Sequence, residues 1–136
     1  MARPPARSSC RSAADAVIGQ TAFTTATTGT SASTLAAPLA VASDGTSLFV
    51  ADAGNHRVLG FDAIPSSGAG AAATVVLGQG GFPSSAANDA DQDGAQDAAP
   101  AANTLSNPSG LAIIDGALFV TDAFNHRVLV FRPPAP

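Results

Sequence analysis

A stretch of fourteen residues occurs twice in this chain, and no other feature constrains the fold as much. The first copy, LFVADAGNHRVLGF, runs from Leu48 to Phe61, and the second, LFVTDAFNHRVLVF, runs from Leu118 to Phe131, at a constant offset of 70 residues. Three upstream positions match at the same offset, without a gap: Leu35, Pro38 and Val41 with Leu105, Pro108 and Leu111. A repeat of this length predicts stacked supersecondary units.

A shorter repeated element precedes each long copy. VIGQ at residues 17–20, followed by Phe23, resembles VLGQ at residues 76–79, followed by Phe82, at an offset of 59 residues. Because the long copies are 70 residues apart, eleven extra residues must lie between Phe82 and Leu105. The second connection is therefore an expanded version of the first.

Each unit has the pattern of several short strands separated by turn residues. The predicted strands are Leu39–Ala42, Leu48–Ala51, Arg57–Phe61, Thr74–Leu77, Gly110–Ile114, Ala117–Thr121 and Arg127–Phe131. Strands this short cannot bury their faces alone. Repetition of a unit with about four strands favours an all-β fold of β-propeller blades, each a four-stranded antiparallel sheet, over a β-sandwich.

Composition excludes some classes of function. The 136 residues carry a net charge of −4, with six arginines, no lysine and ten acidic residues that are all aspartate. Without a basic patch, the chain lacks the electrostatic footprint of a nucleic-acid partner, and it has no polybasic segment for a membrane surface. No segment is apolar for long enough to span a bilayer. The single cysteine, Cys10, has no disulfide partner within the chain.

The repeated residues resemble NHL repeats. The second unit fits that family's pattern throughout, with Pro108-Ser109-Gly110-Leu111, then LFVTD, then Asn125-His126-Arg127-Val128 and a terminal phenylalanine. The first unit departs from it at Ala40, where glycine is usual. The resemblance covers about residues 16–132 and implies β-propeller blades, commonly six in this family. It leaves the function open, since such propellers act as protein-binding scaffolds, as RNA-binding modules and, in one case, as a lyase in peptide amidation.

About two blades are present, so the sequence predicts a partial propeller. The predicted organisation is a disordered leader at 1–15, an orphan outer strand and connection at 16–24, a first blade at 35–79, an Asp-rich inserted loop at 80–104, a second blade lacking its outer strand at 105–132, and a tail at 133–136. Two interpretations remain open: a fragment of a longer protein, or a chain whose copies assemble into a ring.

Four polar residues recur in both long copies: Asp52, Asn55, His56 and Arg57, with Asp122, Asn125, His126 and Arg127. One interpretation makes histidine and aspartate a metal or acid–base pair. The other is architectural: asparagine tolerates the left-handed turn conformation, and aspartate ending one strand can pair with arginine starting the next. We favour the architectural interpretation, because a residue that recurs in every unit usually belongs to the unit's framework. We therefore predict no catalytic residue.

The inserted loop suggests a calcium site. Asp89, Asp91 and Asp93 alternate and are followed by Gly94, as in the opening of a calcium-binding loop, with Asp97 at the ninth position. The twelfth position is Pro100, where such loops carry a bidentate glutamate. The alternative is a polar, solvated insertion whose aspartates keep it soluble.

The sequence therefore favours a non-enzymatic propeller segment that serves as a protein-binding or structural scaffold. Calcium is the only cofactor it suggests. The expected partners are another protein, further blades or a second copy, with no nucleic acid and no membrane. The alternatives are part of a metal-dependent, lyase- or lactonase-like propeller enzyme and, less favoured, an RNA-binding propeller. The Asp-rich loop inclines the localisation towards the extracellular space or the cell envelope.

Overall fold

The computed structural model describes residues 13–133 and contains two antiparallel sheets, which confirms the predicted all-β class. Most of the predicted leader and residues 134–136 lie outside the described range. The first sheet, blade 1, consists of β1 (Pro38–Ser43), β2 (Leu48–Asp52), β3 (Arg57–Phe61) and β4 (Val75–Leu77). The second, blade 2, consists of β5 (Pro108–Ile114), β6 (Ala117–Asp122) and β7 (Arg127–Phe131).

Both sheets have the same up-and-down order and the same register. In blade 1, Leu48 lies opposite Phe61 and Asp52 lies opposite Arg57; the residues 70 positions later pair in the same way in blade 2. A 3₁₀ turn joins the second and third strands, at Ala53–Asn55 and at Ala123–Asn125. The predicted bounds of β3 and β7 are confirmed to the residue, and the other predicted strands begin and end within two residues of the observed ones.

The two blades pack face to face, because each strand sends alternate side chains to opposite faces of its sheet. Leu59 and Phe61 of β3 belong to one hydrophobic cluster. Val58, between Arg57 and Leu59, belongs to a second cluster with Leu118 and Val120 of blade 2. One face of blade 1 therefore covers one face of blade 2, as neighbouring propeller blades do.

The outer strand predicted at residues 17–20 does not form. Only Ala16 makes a single bridge, to Gly68 in the β3–β4 connection. A strand needs a neighbour that supplies ladder partners, and no described strand lies beside residues 17–20. The segment nevertheless packs as its counterpart does: Gly19 (φ +94°) lies against Leu35, just as Gly78 (φ +92°) lies against Leu105.

The expanded connection at residues 80–104 contains no helix or strand. It runs from the end of β4 to the start of β5, on the side of the blades that carries the 3₁₀ turns. In the described part of the chain, no helix has the length and apolar character needed to cross a membrane.

Candidate functional site

The repeated polar residues meet where the second strand of each blade ends and the third begins. In blade 1, Asp52 ends β2, the 3₁₀ turn reverses the chain, and Arg57 begins β3 directly opposite Asp52. The antiparallel register thus brings the two charged side chains together. We call this end of the blades the turn end.

The guanidinium of Arg57 links three segments of the chain. Its Nε donates to Oδ2 of Asp52 at 2.7 Å, and both side chains are fully buried. Its Nη2 donates to the carbonyls of Ser31, at 2.8 Å, and Thr34, at 3.1 Å, while Nη1 donates to the carbonyl of Phe82. A buried charge with this many partners holds the fold together and is not free to bind a substrate.

The Asp52 carboxylate is satisfied in the same way. Its Oδ1 accepts the backbone N–H of Ala36 at 2.7 Å, and its Oδ2 also accepts the Asn55 amide at 2.9 Å. The Asn55 amide donates in addition to the carbonyl of Gly29 at 2.8 Å. Aspartate and asparagine therefore tie the turn to the segment that precedes β1, and neither presents a free donor set to a metal ion.

Blade 2 repeats this network with one difference. Arg127 Nε lies 2.7 Å from Oδ2 of Asp122, and its Nη2 donates to the carbonyls of Ala101, at 2.7 Å, and Thr104, at 2.9 Å. No acceptor for Nη1 of Arg127 occurs among residues 13–133. The Arg127 side chain is accordingly 25% exposed, whereas that of Arg57 is fully buried.

The left-handed residue of each turn is the histidine, so the assignment of that conformation to asparagine was wrong. His56 has φ +53° and caps the 3₁₀ turn by donating its N–H to the carbonyl of Ala53; His126 has φ +55°. Asn55 remains inside the 3₁₀ turn, where its side chain reaches back to Asp52. The following residue must then reverse the chain.

His56 also joins the two blades. Its Nδ1 accepts the backbone N–H of Asn107, just before β5, at 2.9 Å, which requires an imidazole without a proton on Nδ1. Burial lowers the pKa of His56, against an opposing effect of the Asp122 carboxylate. Both observations favour neutral imidazole in a structural contact between blades.

The structure brings together three of the four aspartates predicted to bind calcium. One carboxylate oxygen each from Asp89, Asp91 and Asp97 lie within 4.8 Å of one another. Asp93 lies outside this group, and its Oδ1 accepts the backbone N–H of Ala95 at 2.8 Å. Asp89 is buried and accepts the backbone N–H groups of Asp93, at 3.1 Å, and Gly94, at 3.0 Å.

The three carboxylates fit calcium only in part. Calcium takes six to eight oxygen ligands, and Pro100 supplies no carboxylate at the position where calcium loops have their bidentate ligand. The N–H of Asp93 lowers the pKa of Asp91, but repulsion from the Asp93 and Asp97 carboxylates contributes to a net rise. A cation would relieve this repulsion, which is the chemical argument for calcium here.

Phe124 is the position where the two turns differ most, and the sequence comparison did not single it out. Its counterpart, Gly54, lies so close to the Ala36 carbonyl that an added Cβ would come within 2.7 Å of that oxygen. The Phe124 side chain is instead 65% exposed at the turn end of blade 2. The departure from the repeat, AGN against AFN, was the available signal.

A cavity of about 390 Å³ lies at the opposite end of the blades. Its walls are mainly apolar, with Phe49 and Leu77 from blade 1 and Leu118 and Phe131 from blade 2. This lining suits an apolar group better than an acid–base reaction.

Comparison with known families identifies the second unit. The family model of the NHL repeat matches residues 105–131, which hold β5, β6 and β7. Residues 105–131 are an NHL repeat. Blade 1 has the register and polar network of this NHL repeat, so the structure is that of a partial β-propeller. No curated protein matches the chain.

Proposed function

We propose that this chain is a non-enzymatic, protein-binding scaffold built from NHL-type blades. The observation that carries the proposal is the use of the recurring polar residues in both blades. The carboxylates of Asp52 and Asp122 each bind an arginine, an asparagine and a backbone N–H. The chemically capable side chains therefore hold strands together.

The binding surface that we propose is the turn end of blade 2. Phe124 stands there, largely exposed, at a position where the other blade has glycine. Aromatic side chains are enriched where proteins bind one another, because they bury a large area with few rotatable bonds. An exposed phenylalanine on a rigid 3₁₀ turn is already ordered before binding, which lowers the entropic cost of association.

A site-specific photo-crosslinking experiment tests this surface. A photoreactive phenylalanine analogue replaces Phe124 in one sample and Ile64 in another; Ile64 is also exposed but lies in the β3–β4 connection, away from the turn end. We expect a discrete protein adduct from position 124 in extract of the source cells, and none from position 64. Excess unlabelled chain should compete, whereas excess Phe124→Ser chain should not. Identical adducts from both positions, or competition by Phe124→Ser, would contradict the proposal.

A weak calcium site in the inserted loop is a second candidate function. It is supported by the convergence of carboxylate oxygens from Asp89, Asp91 and Asp97 and by the raised pKa of Asp91. With three carboxylates and no bidentate glutamate, we expect a dissociation constant of about 10⁻⁴–10⁻³ M, the range of extracellular calcium modules.

A further inference from the structure

The two blades end differently along their third strands. In blade 1, β3 pairs with β2 on one edge and with β4 on the other. In blade 2, β7 pairs with β6 alone among the described residues. Val128 of β7 is 56% exposed, although its counterpart Val58 is fully buried between the blades. Blade 2 thus presents an unpaired strand edge next to an open apolar face.

The missing part of blade 2 is present elsewhere in the same sequence. Residues 16–23 are the counterpart of residues 75–82, which form β4 and the connection that follows it. Gly19 packs against Leu35 as Gly78 packs against Leu105, and Ile18 packs against the core of blade 1 as Leu77 packs against that of blade 2. The segment is thus already seated as the end of a preceding blade.

A hydrogen bond that blade 2 lacks points to the same segment. In blade 1, Arg57 Nη1 donates to the carbonyl of Phe82, whose ring packs against the core of that blade. Arg127 Nη1 has no acceptor among the described residues, and Phe23, the counterpart of Phe82, is 54% exposed. A donor without an acceptor and an aromatic ring without a core are complementary halves of the Arg57–Phe82 contact.

The contact between the blades has a matching pair of free groups. His56 Nδ1 accepts the N–H of Asn107, which has φ +53°. The corresponding groups are His126 Nδ1 and the N–H of Ala37, which has φ +50°; neither has a partner within residues 13–133. The backbone at Ala37 therefore already has the conformation that Asn107 uses to meet a histidine.

We propose that residues 16–23 of a second copy complete blade 2, so that copies join head to tail. The first copy supplies β7, His126 and Arg127; the second supplies the outer strand, the Phe23 ring and carbonyl, and the N–H of Ala37. The Gln20 amide, which now donates to the carbonyl of Thr27, would turn to the carbonyls of the first copy's turn, as Gln79 does in blade 1. The occupant is a second copy because every complementary group lies in this chain at the offset of the intact interface.

Such a head-to-tail interface repeats until it closes. Propellers have four to eight blades, so two-blade chains would close as rings of two, three or four copies. This inference does not depend on the protein-binding surface at Phe124, which lies on the turn and not on the blade face.

Solution mass of the full chain, by light scattering coupled to size exclusion, tests the proposal. We expect a single species of two to four times the 13.3 kDa chain mass. Val128→Asp places a charge on the open face, and Phe23→Asp places one on the donated segment; both side chains are exposed in one chain, so each variant should fold and elute as a monomer. Ile64→Asp, changed outside both surfaces, should retain the wild-type mass.

Mixing the two variants gives the decisive result. The Val128→Asp chain keeps an intact donated segment, and the Phe23→Asp chain keeps an intact blade 2 edge. An equimolar mixture should therefore form a species of two chains through one intact interface. A monomeric wild-type chain, a mixture that stays monomeric, or an oligomer that survives both substitutions would overturn the proposal.

Discussion

The Nε atom of Arg57 lies 2.7 Å from Oδ2 of Asp52, and neither side chain is exposed. Arg127 and Asp122 form the same pair at the same distance, with a partly exposed arginine. The two blades thus offer the same ion pair in two degrees of burial within one chain. This contrast allows the structural role of the repeated motif to be measured.

Replacing Arg57 by methionine should destabilise the chain strongly, because the Asp52 carboxylate would remain buried without its counter-charge. We expect the free energy of unfolding to fall by about 3–5 kcal/mol, the usual cost of breaking a buried pair. Arg127→Met should cost less, because water already reaches that side chain. Urea denaturation measures both; equal losses would contradict the argument from burial.

The glycines that follow the outer-strand elements should not tolerate a side chain. Gly78→Ala combines an unfavourable positive φ with a Cβ only 2.7 Å from Leu105 Cδ1. Gly45 has nearly the same φ, +93°, and open space around it, so Gly45→Ala isolates the backbone cost of about 1–2 kcal/mol. We expect Gly78→Ala to cost about 1–3 kcal/mol more, the range for overpacking. Equal losses in thermal or urea unfolding would show that Leu105 does not constrain this position.

Stability should depend on pH through His56. Its pKa is lowered in the folded state, so below the unfolded value of about 6.5 the unfolded chain binds more protons than the folded chain. The stabilising contribution of His56 is therefore present above pH 6.5 and is lost as the pH falls through the folded-state pKa. Protonation of Nδ1 would also remove the acceptor for the Asn107 N–H.

His56→Asn is the matched control, because asparagine tolerates positive φ and does not titrate in this range. The difference in unfolding free energy between wild type and variant should shrink as the pH falls below 6.5. Contributions from the aspartates are common to both chains and cancel in this difference. A difference that stays constant with pH would rule out the role of neutral His56.

Calcium should stabilise the chain modestly if the three carboxylates bind it. With a dissociation constant of about 1 mM, 10 mM calcium would add about 1.4 kcal/mol to the free energy of unfolding. Asp91→Asn, which removes one exposed carboxylate, should abolish that gain without destabilising the calcium-free chain. Melting followed by circular dichroism, with calcium and with chelator, gives the answer; unchanged melting of the wild-type chain would exclude the site.

The strands were predictable because their signals are local. Repetition and alternation defined Arg57–Phe61 and Arg127–Phe131 to the residue. The non-local features were not predictable in this way. Residues 17–20 have the sequence of a strand, but strand formation needs an edge that another segment supplies.

The site followed the same division between local and non-local information. The aspartate–arginine pair follows from their positions at facing strand ends, and the structure shows it in both blades. The left-handed conformation went to His56 because Asn55 is held in the turn by Asp52, a contact that residue propensity alone does not contain. The exclusion of Asp93 from the carboxylate group likewise depends on the path of the loop.

The central claim is that the repeated aspartate and arginine form the framework of the blade. A double-mutant cycle on Asp52 and Arg57, with Asp52→Asn and Arg57→Met, measures their coupling directly in the free energy of unfolding. We predict a coupling energy of about 2 kcal/mol or more, because the two charges are buried and in direct contact. A coupling energy near zero, with additive single-variant losses, would contradict the claim.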